Sequence, residues 1–349
     1  MKKNMHSLIV LMVVLFMAGG AELQAAPKTL DIYFIDVEGG AATLIVTPLG
    51  ESLLVDSGFP GERDPARIAH VARDIAGLTQ IDHYLTTHWH RDHVGGIPTL
   101  AKLIPVKNYY DHGLPVTMAP DLQAEFIEAY RQTVQGKSVT LKPGDLIPLS
   151  KPVKSLPPMQ IRVLAASGIV LGEQPGAPQI KPCGPNFQPQ AEDKTDNANS
   201  VGFLLSFGRF KFFDGGDLTW NVEDKLVCPK NLVGTVDVYQ ADHHGTDSSN
   251  NPTLVHALKP RVTIIGSGPK KGAEVKTFAT LKSEPTIEAI YQLHRNVRTT
   301  EKDNAPADFI ANEEEACRGN FIKLSVDPTA KSYTVTIPAK QISRTYRVR

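Results

Sequence analysis

Four potential metal ligands fall within one six-residue run, His88-Trp89-His90-Arg91-Asp92-His93, which follows a β-rich segment and leads into Gly95-Gly96. Imidazole and carboxylate are donors that suit zinc, and a set made only of nitrogen and oxygen also admits iron or manganese. Side chains two apart at a strand end point the same way. His88 and His90 are therefore expected on one side of a cavity, with Asp92 and His93 facing it from the turn. One short loop would supply two ligand pairs, enough for one or two divalent ions. A chance cluster of surface histidines explains the run poorly, because the whole 349-residue chain holds only 11 histidines.

The elements that must position this run read as follows. Leu30–Val37, Ala42–Thr47 and Ser52–Val55 are short β-rich stretches separated by the turns Gly39-Gly40 and Pro48-Leu49-Gly50, a meander. A helix is expected from Asp64 as N-cap and Pro65 to Gly77, with Ile68, Val71 and Ile75 on one face. Asp82–Thr86 is the strand that delivers the histidine run. A second helix is expected from about Asp121 to Gly136, its Phe126, Ile127, Tyr130 and Val134 packing into a core. Residues 172–199, rich in proline, read as a long loop. Strand character returns at Ile161–Ala165, Val201–Phe207, Phe210–Phe213, Val236–Gln240 and Val262–Ile265, with a short helix opening at Asn251-Pro252. Ile322–Val326 and Tyr333–Ile337 read as a terminal hairpin, an extension over about residues 318–349. Two β-rich halves, each with helices, imply two sheets packed face to face with helices outside, in a single domain over residues 27–349.

Residues 1–26 have the build of a cleavable signal peptide: Lys2 and Lys3, an apolar run from Leu8 to Met17, and a small-residue end at Ala25 and Ala26. The apolar run falls short of the roughly 18–20 residues a membrane span needs. The expectation is an exported protein, periplasmic or secreted, with no membrane-spanning segment after cleavage. Basic and acidic side chains number 37 each, so charge implies no stable nucleic-acid complex. Lys270-Lys271 and the tail Arg344 to Arg349 read as solvated surface. Cys183, Cys228 and Cys317 lack a close-spaced ligand pattern, and any of three single disulfides, or three buried thiols, is compatible with export.

The histidine run with Val94-Gly95-Gly96 resembles the signature of the metallo-β-lactamase superfamily, and Leu53-Leu54-Val55-Asp56-Ser57-Gly58 resembles its upstream strand ending in Asp. Asp196-Asn197-Ala198-Asn199-Ser200-Val201, Phe213-Asp214-Gly215-Gly216-Asp217 and Asp242-His243-His244-Gly245 resemble a narrower group, the hydrolase domains of ComEC-type competence proteins and their stand-alone exported relatives. The resemblance implies an α/β fold, a four-layer αββα sandwich of two mixed β-sheets with outer helices. It implies metal ligands at His88, His90, Asp92, His93, Asp217 and His243, with Asp217 bridging two ions and Asp56 orienting a ligand by hydrogen bond. One histidine of the pair completes the second ion's site, with His243 preferred; His244 would then support a ligand or contact the reacting oxyanion, and Asp92 or His244 would relay protons. His294 competes with the pair for the last ligand position.

Three departures from the family pattern stand out. No histidine lies between His112 and His243 to supply a third imidazole to the first ion, which leaves Asp196, Asn199, a water or nothing. Glu38-Gly39-Gly40-Ala41 replaces Gly-Gln-Gly-Asp, so a carboxylate is lost or moved to Glu38. Lys270-Lys271-Gly272-Ala273 replaces a Tyr-Gly-His-Pro-like segment. His70, His83 and His256 read as surface or core residues, and His112 as a possible pocket wall. The activity implied is hydrolysis by a metal-activated water, of a small-molecule or nucleic-acid-type phosphodiester. The alternatives are an ester, lactone or β-lactam substrate, and a non-catalytic envelope protein that merely holds metal.

Overall fold

The computed structural model describes residues 28–150, 153–172 and 187–349. The expected signal peptide, Cys183 and half of the proline-rich loop lie outside them. In chain order the strands are β1 (Leu30–Phe34), β2 (Thr43–Val46), β3 (Ser52–Val55), β4 (Ile81–Leu85), β5 (Val106–Asp111) and β6 (Ser138–Thr140). They are followed by β7 (Met159–Ala166), β8 (Ile169–Val170), β9 (Gly202–Phe207), β10 (Phe210–Asp214), β11 (Val238–Gln240), β12 (Val262–Ile265), β13 (Ala289–His294) and β14 (Ile310–Asn312). The last are β15 (Ile322–Val326), β16 (Ser332–Ile337) and β17 (Ile342–Arg347). One sheet runs β17-β16-β15-β1-β2-β3-β4-β5-β6 and the other β14-β13-β12-β11-β10-β9-β7-β8. Each is mixed: β3 to β6 and β10 to β14 pair in parallel, and the remaining pairs are antiparallel.

Alternation along the strands builds three cores. Leu30, Ile32 and Phe34 of β1, Ile45 of β2 and Leu53 and Val55 of β3 face Phe203, Leu205, Phe210, Phe212, Val262 and Ile264 across the gap between the sheets. The intervening residues Tyr33, Leu44 and Leu54 turn outward onto α1 (Arg63–His70), α2 (Arg91–Val94), α3 (Ile97–Leu103) and α4 (Ala124–Val134). Phe213, Tyr239 and Ile265 likewise turn onto α5 (Trp220–Val227), α6 (Pro252–Leu258) and α7 (Val275–Ser283). The result is the expected αββα sandwich, with period-2 alternation deciding which face each side chain serves. Each fully buried large apolar side chain in these layers contributes about 1.5–3 kcal/mol. No helix among the described residues is long and apolar enough to cross a membrane.

Several boundaries differ from the sequence reading. The first helix takes Glu62, not Asp64, as N-cap, because the buried Asp64 accepts from the Phe59 amide (2.8 Å) and the Arg63 guanidinium (2.6 Å). It stops at His70 and continues as a wider π-type turn, Val71–Ile75. The terminal segment holds three strands where a hairpin was expected, and β15 pairs with β1, Ile32 opposite Leu324, so it completes the first sheet. The tail read as solvated surface does expose Arg344 and Arg347, and it forms the edge strand β17. β5 escaped notice because its Lys107 and Asn108 are exposed, which hides any alternation. Cys228 is disulfide-bonded and Cys317 is a free thiol, which excludes both pairings that use Cys317.

Candidate metal centre

The parallel strands of both sheets end at one rim, the place where open α/β sheets bind ligands. β4 runs out into Thr86-Thr87 and the histidine run, and the start of α2 carries Asp92 and His93. β3 ends at Asp56, held at φ +59°. From the other sheet, β10 runs into Gly215-Gly216-Asp217, β11 into the turn Asp242–Gly245, and β12 into the segment that carries Lys271. Gly216, at φ +60°, passes so close that a Cβ would meet Thr87 and Ser200 side-chain atoms at 3.1–3.2 Å. A side chain there would push the Asp217 loop off the rim. His243 (φ +51°) and His244 (φ +56°) are both left-handed, a conformation non-glycine residues hold only where the surroundings impose it.

Asp217 lies at the middle. Its Oδ2 is 3.2 Å from His93 Nε2, 3.4 Å from His244 Nε2, 3.5 Å from His243 Nε2 and 3.8 Å from His88 Nε2. Two overlapping donor groups emerge, His88, His93 and Asp217 on one side and Asp92, His93 and His244 on the other, each with ligand atoms within 4.8 Å of one another. His90 joins through His88, with Nδ1 2.9 Å from His88 Nε2. Asp92 Oδ2 is 3.5 Å from His244 Nε2 and 3.7 Å from His93 Nε2, and it takes an ion pair from Lys271 Nζ.

The far nitrogens of these rings are fixed by acceptors. His93 Nδ1 lies 2.7 Å from Asp56 Oδ2, His90 Nε2 lies 2.6 Å from Asp121 Oδ2, and His244 Nδ1 faces the Gly266 carbonyl at 3.3 Å. His88 Nδ1 faces Thr87 Oγ1 at 3.1 Å, and that hydroxyl donates to Asp56 at 2.7 Å. With the far N–H donating, the near nitrogen keeps its lone pair, the tautomer that metal ligation requires. His88 then faces His90, and His93 faces His244 at 3.2 Å, lone pair to lone pair. Such pairs repel unless a cation or a proton stands between them. The donors fit zinc or a similar divalent ion.

The electrostatics agree. Burial holds the His88 imidazole well below its ordinary pKa, and so neutral. Burial would do the same to His93, but Asp217, Asp56 and Asp92 outweigh it and carry the ring well above its ordinary value, so that a proton occupies the cation's place. Burial would raise Asp217 and Asp92 as well; the surrounding imidazoles, joined at Asp92 by Lys271, outweigh it and hold both well below the usual carboxylate range.

The structure thus brings together His88, His90, Asp92, His93 and Asp217, and sets Asp56 Oδ2 2.7 Å from His93 Nδ1. The two histidines of the pair are placed differently. His244, expected to contact an oxyanion and relay protons, is the buried ring that groups with Asp92 and His93, whereas His243 touches the centre only through Asp217 and turns Nδ1 to Ser248 Oγ (3.0 Å). Burial pushes the His243 ring down to about 4. His294 does not reach the centre and sits beside Asp36 and Cys317. Asp196 and Asn199 do not complete the first group, because Asp196 Oδ2 accepts from the Trp89 amide (2.7 Å) and Oδ1 from Asn199 (3.0 Å). Glu38 is held away by Arg63 and Arg67. His112 supports the wall through Asp196 at 3.2 Å, and His83, buried between Tyr110 and Glu51, is a core residue as read. Sequence reasoning missed Asp121, taken only for a helix start, and Lys271, taken for surface; neither carries a local signal.

Residues 35–170 match the family model described as the metallo-beta-lactamase superfamily. A metal-dependent hydrolase of Polynucleobacter asymbioticus is 36% identical over 108 residues, 30% of this chain and 36% of the relative. An atrochrysone carboxyl ACP thioesterase of Aspergillus terreus is 39% identical over 66 residues, 19% of this chain and 20% of the relative. These matches span about a third or less of the curated relatives. Among solved structures, a metallo hydrolase from Ignicoccus hospitalis is similar over 75% of this chain and 94% of its own, at 11% identity and a TM-score of 0.42. A subclass B3 metallo-beta-lactamase from a soil metagenome is similar over 76% and 77%, at 15% identity and 0.35.

Proposed function

We propose that this chain, which belongs to the metallo-β-lactamase superfamily, is a metal-dependent hydrolase of phosphodiesters that works in the periplasm or outside the cell. Within the superfamily we place it nearest the stand-alone exported relatives of ComEC-type hydrolase domains. The observation that carries the hydrolase reading is that imidazole nitrogens face each other in two pairs, His88 with His90 and His93 with His244, lone pair to lone pair, with Asp217 Oδ2 3.2 Å from His93 Nε2. Divalent ions held there by His88, His90, Asp92, His93, His244 and Asp217 would supply an activated water and polarise the bond to be cleaved.

The chain's own residues do the rest. Asp56, Asp121 and the Gly266 carbonyl hold the rings in register, and Trp89, Val94 and Ile97 close the apolar wall behind them. Lys271 places a positive charge at the rim, bonded to Asp92 and partly exposed, where an anionic phosphoryl oxygen would approach. Two overlapping donor groups that share His93, with Asp217 Oδ2 3.2 Å from His93 Nε2 and 3.4 Å from His244 Nε2, suit in-line displacement at phosphorus, and these two features favour a phosphodiester over a neutral ester.

The test is turnover of bis-p-nitrophenyl phosphate and single-stranded DNA by protein reloaded with zinc or manganese. The expected result is hydrolysis that chelation abolishes and metal restores. No turnover of either substrate with any metal overturns the phosphodiester reading. A second reading is favoured by the thioesterase relatives: an ester, thioester, lactone or β-lactam substrate. Hydrolysis of an acyl thioester, an acyl-homoserine lactone or a chromogenic cephalosporin in place of the phosphodiesters would establish it.

A further inference from the structure

A second cluster of ligand chemistry lies apart from the rim centre. Asp36 follows β1, His294 ends β13 and Cys317 precedes β15, so three separate elements, two from one sheet and one from the other, meet at one point. One ligand atom from each lies within 4.8 Å of the others. The Cys317 thiol donates to Asp36 Oδ2 at 3.1 Å, and Glu38 Oε1 stands 3.9 Å from the sulfur. Asp36 and His294 are fully buried.

An independent observation points to a missing partner. His294 Nε2 is buried without a hydrogen bond, while Nδ1 faces the Arg295 carbonyl at 3.4 Å. With Nδ1–H donating, Nε2 carries a lone pair that no group among the described residues meets, and leaving a buried polar atom orphaned is destabilising. Asp36 and Cys317 are also poorly served as they stand: burial pushes the carboxyl up and the thiol up to about 11.

We propose that Asp36, His294 and Cys317 form a second metal site, a structural zinc site with Glu38 or a water as fourth ligand. Thiolate, imidazole and carboxylate are a zinc donor set, and a closed set of this kind stabilises rather than reacts. Binding releases the Cys317 proton to solvent, and the thiolate replaces the thiol on the ion. Charge closes as well. Three negative ligands, Asp36, Glu38 and thiolate, balance a divalent ion and Arg67, whose guanidinium lies 3.6 Å from Asp36 and 2.9 Å from Glu38. The ion would pin the end of β1 to the end of β13. It would thereby fix the segment whose Ala41 amide holds the Asp92 carbonyl (3.0 Å) and, through Ser267, the His294 carbonyl (2.8 Å).

The experiment uses the whole protein loaded with zinc or with cobalt, and it reads metal content and absorption, not turnover. The expected result is one more ion per chain in the wild type than in Cys317→Ser, and a thiolate-to-cobalt charge-transfer band in the near ultraviolet. Cys317→Ser loses that band, whereas Asp217→Asn, which damages the rim centre alone, keeps it. Should Cys317→Ser fail to fold, the wild-type cobalt spectrum and the protection of the free thiol by zinc against a disulfide reagent decide the matter. A cobalt form without the band, or a thiol equally reactive with and without zinc, overturns the proposal.

Discussion

The two sheets furnish the rim centre in different ways. The β3-to-β6 side delivers four donors from one loop of six residues, set by the start of α2 and by Thr87 and Asp56 beneath it. The β10-to-β14 side delivers its donors one loop at a time: Asp217 after β10, His243 and His244 after β11, Lys271 after β12. The first arrangement is local and is built once a single turn closes. The second exists only when several parallel strands are in register, and it rests on two consecutive left-handed residues. Strain of that kind, about 1–3 kcal/mol per residue, persists only where packing imposes it. The histidine run gives the centre its donors, and the opposing loops make those donors converge.

Removing the point of convergence should have the largest effect. Asp217→Asn keeps the shape of the side chain and takes away the charge that four imidazoles surround. Metal content should fall sharply and turnover by more than the roughly 10- to 100-fold typical of groups that merely support ligands. Inductively coupled plasma mass spectrometry, with kcat/KM on the active substrate, measures both. Full metal content and near-normal turnover would show that the local loop suffices and would dissolve the comparison.

The histidine pair sharpens it next. His244→Ala removes a buried ring that groups with Asp92 and His93, and a large loss of metal and activity is expected. His243→Ala removes a ring that reaches only Asp217 and leans on Ser248, and a smaller loss in KM or kcat with metal retained is expected. The reverse order would restore the sequence-based choice of His243 and place the ligand on the other side of Asp217.

That choice shows where sequence reading stops. The run from His88 to His93, the strand ending at Asp56 and the sandwich itself were legible because each has a local signature: ligand spacing, period-2 alternation, a strand before a turn. Asp217 was legible only through a resemblance, since a Gly-Gly-Asp turn alone says nothing of what it faces. Which of two adjacent histidines points inward depends on backbone dihedrals near φ +50°, which no propensity encodes. Asp121 is 31 residues from His90 and joins it at 2.6 Å across the fold. The meeting of Asp36, His294 and Cys317 joins positions 258 and 23 residues apart in sequence, a spacing that carries no local signal. The edge strands were missed because exposed polar faces blur the alternation.

The smallest effect concerns the carboxylates beneath the two sides. Asp56 is fully partnered, by the Thr87 amide (2.8 Å), the Thr87 hydroxyl (2.7 Å) and His93 (2.7 Å). Asp214, its opposite under the Asp217 loop, has Oδ1 on the Gly216 amide at 2.9 Å and a buried Oδ2 with no partner. Burial therefore pushes Asp214 up to about 7. A carboxyl whose pKa is raised in the folded protein holds its proton more tightly there than in the unfolded chain. Its contribution to stability is complete below the ordinary value near 3.8 and is lost as pH rises through about 7. In chelated protein, Asp214→Asn keeps the bond to Gly216 and carries no charge, so its Tm should exceed the wild type's by a few degrees at pH 8. The gap should narrow steadily as pH falls from 8 to 5 and Asp214 takes up its proton, and close only near the ordinary value of about 3.8. Glu223, pushed up to about 7 by burial, is present in both proteins and cancels in the difference. Parallel Tm profiles across that range would mean that Asp214 finds a partner in solution, and the β10-to-β14 side would then be as well satisfied beneath its loop as the β3-to-β6 side.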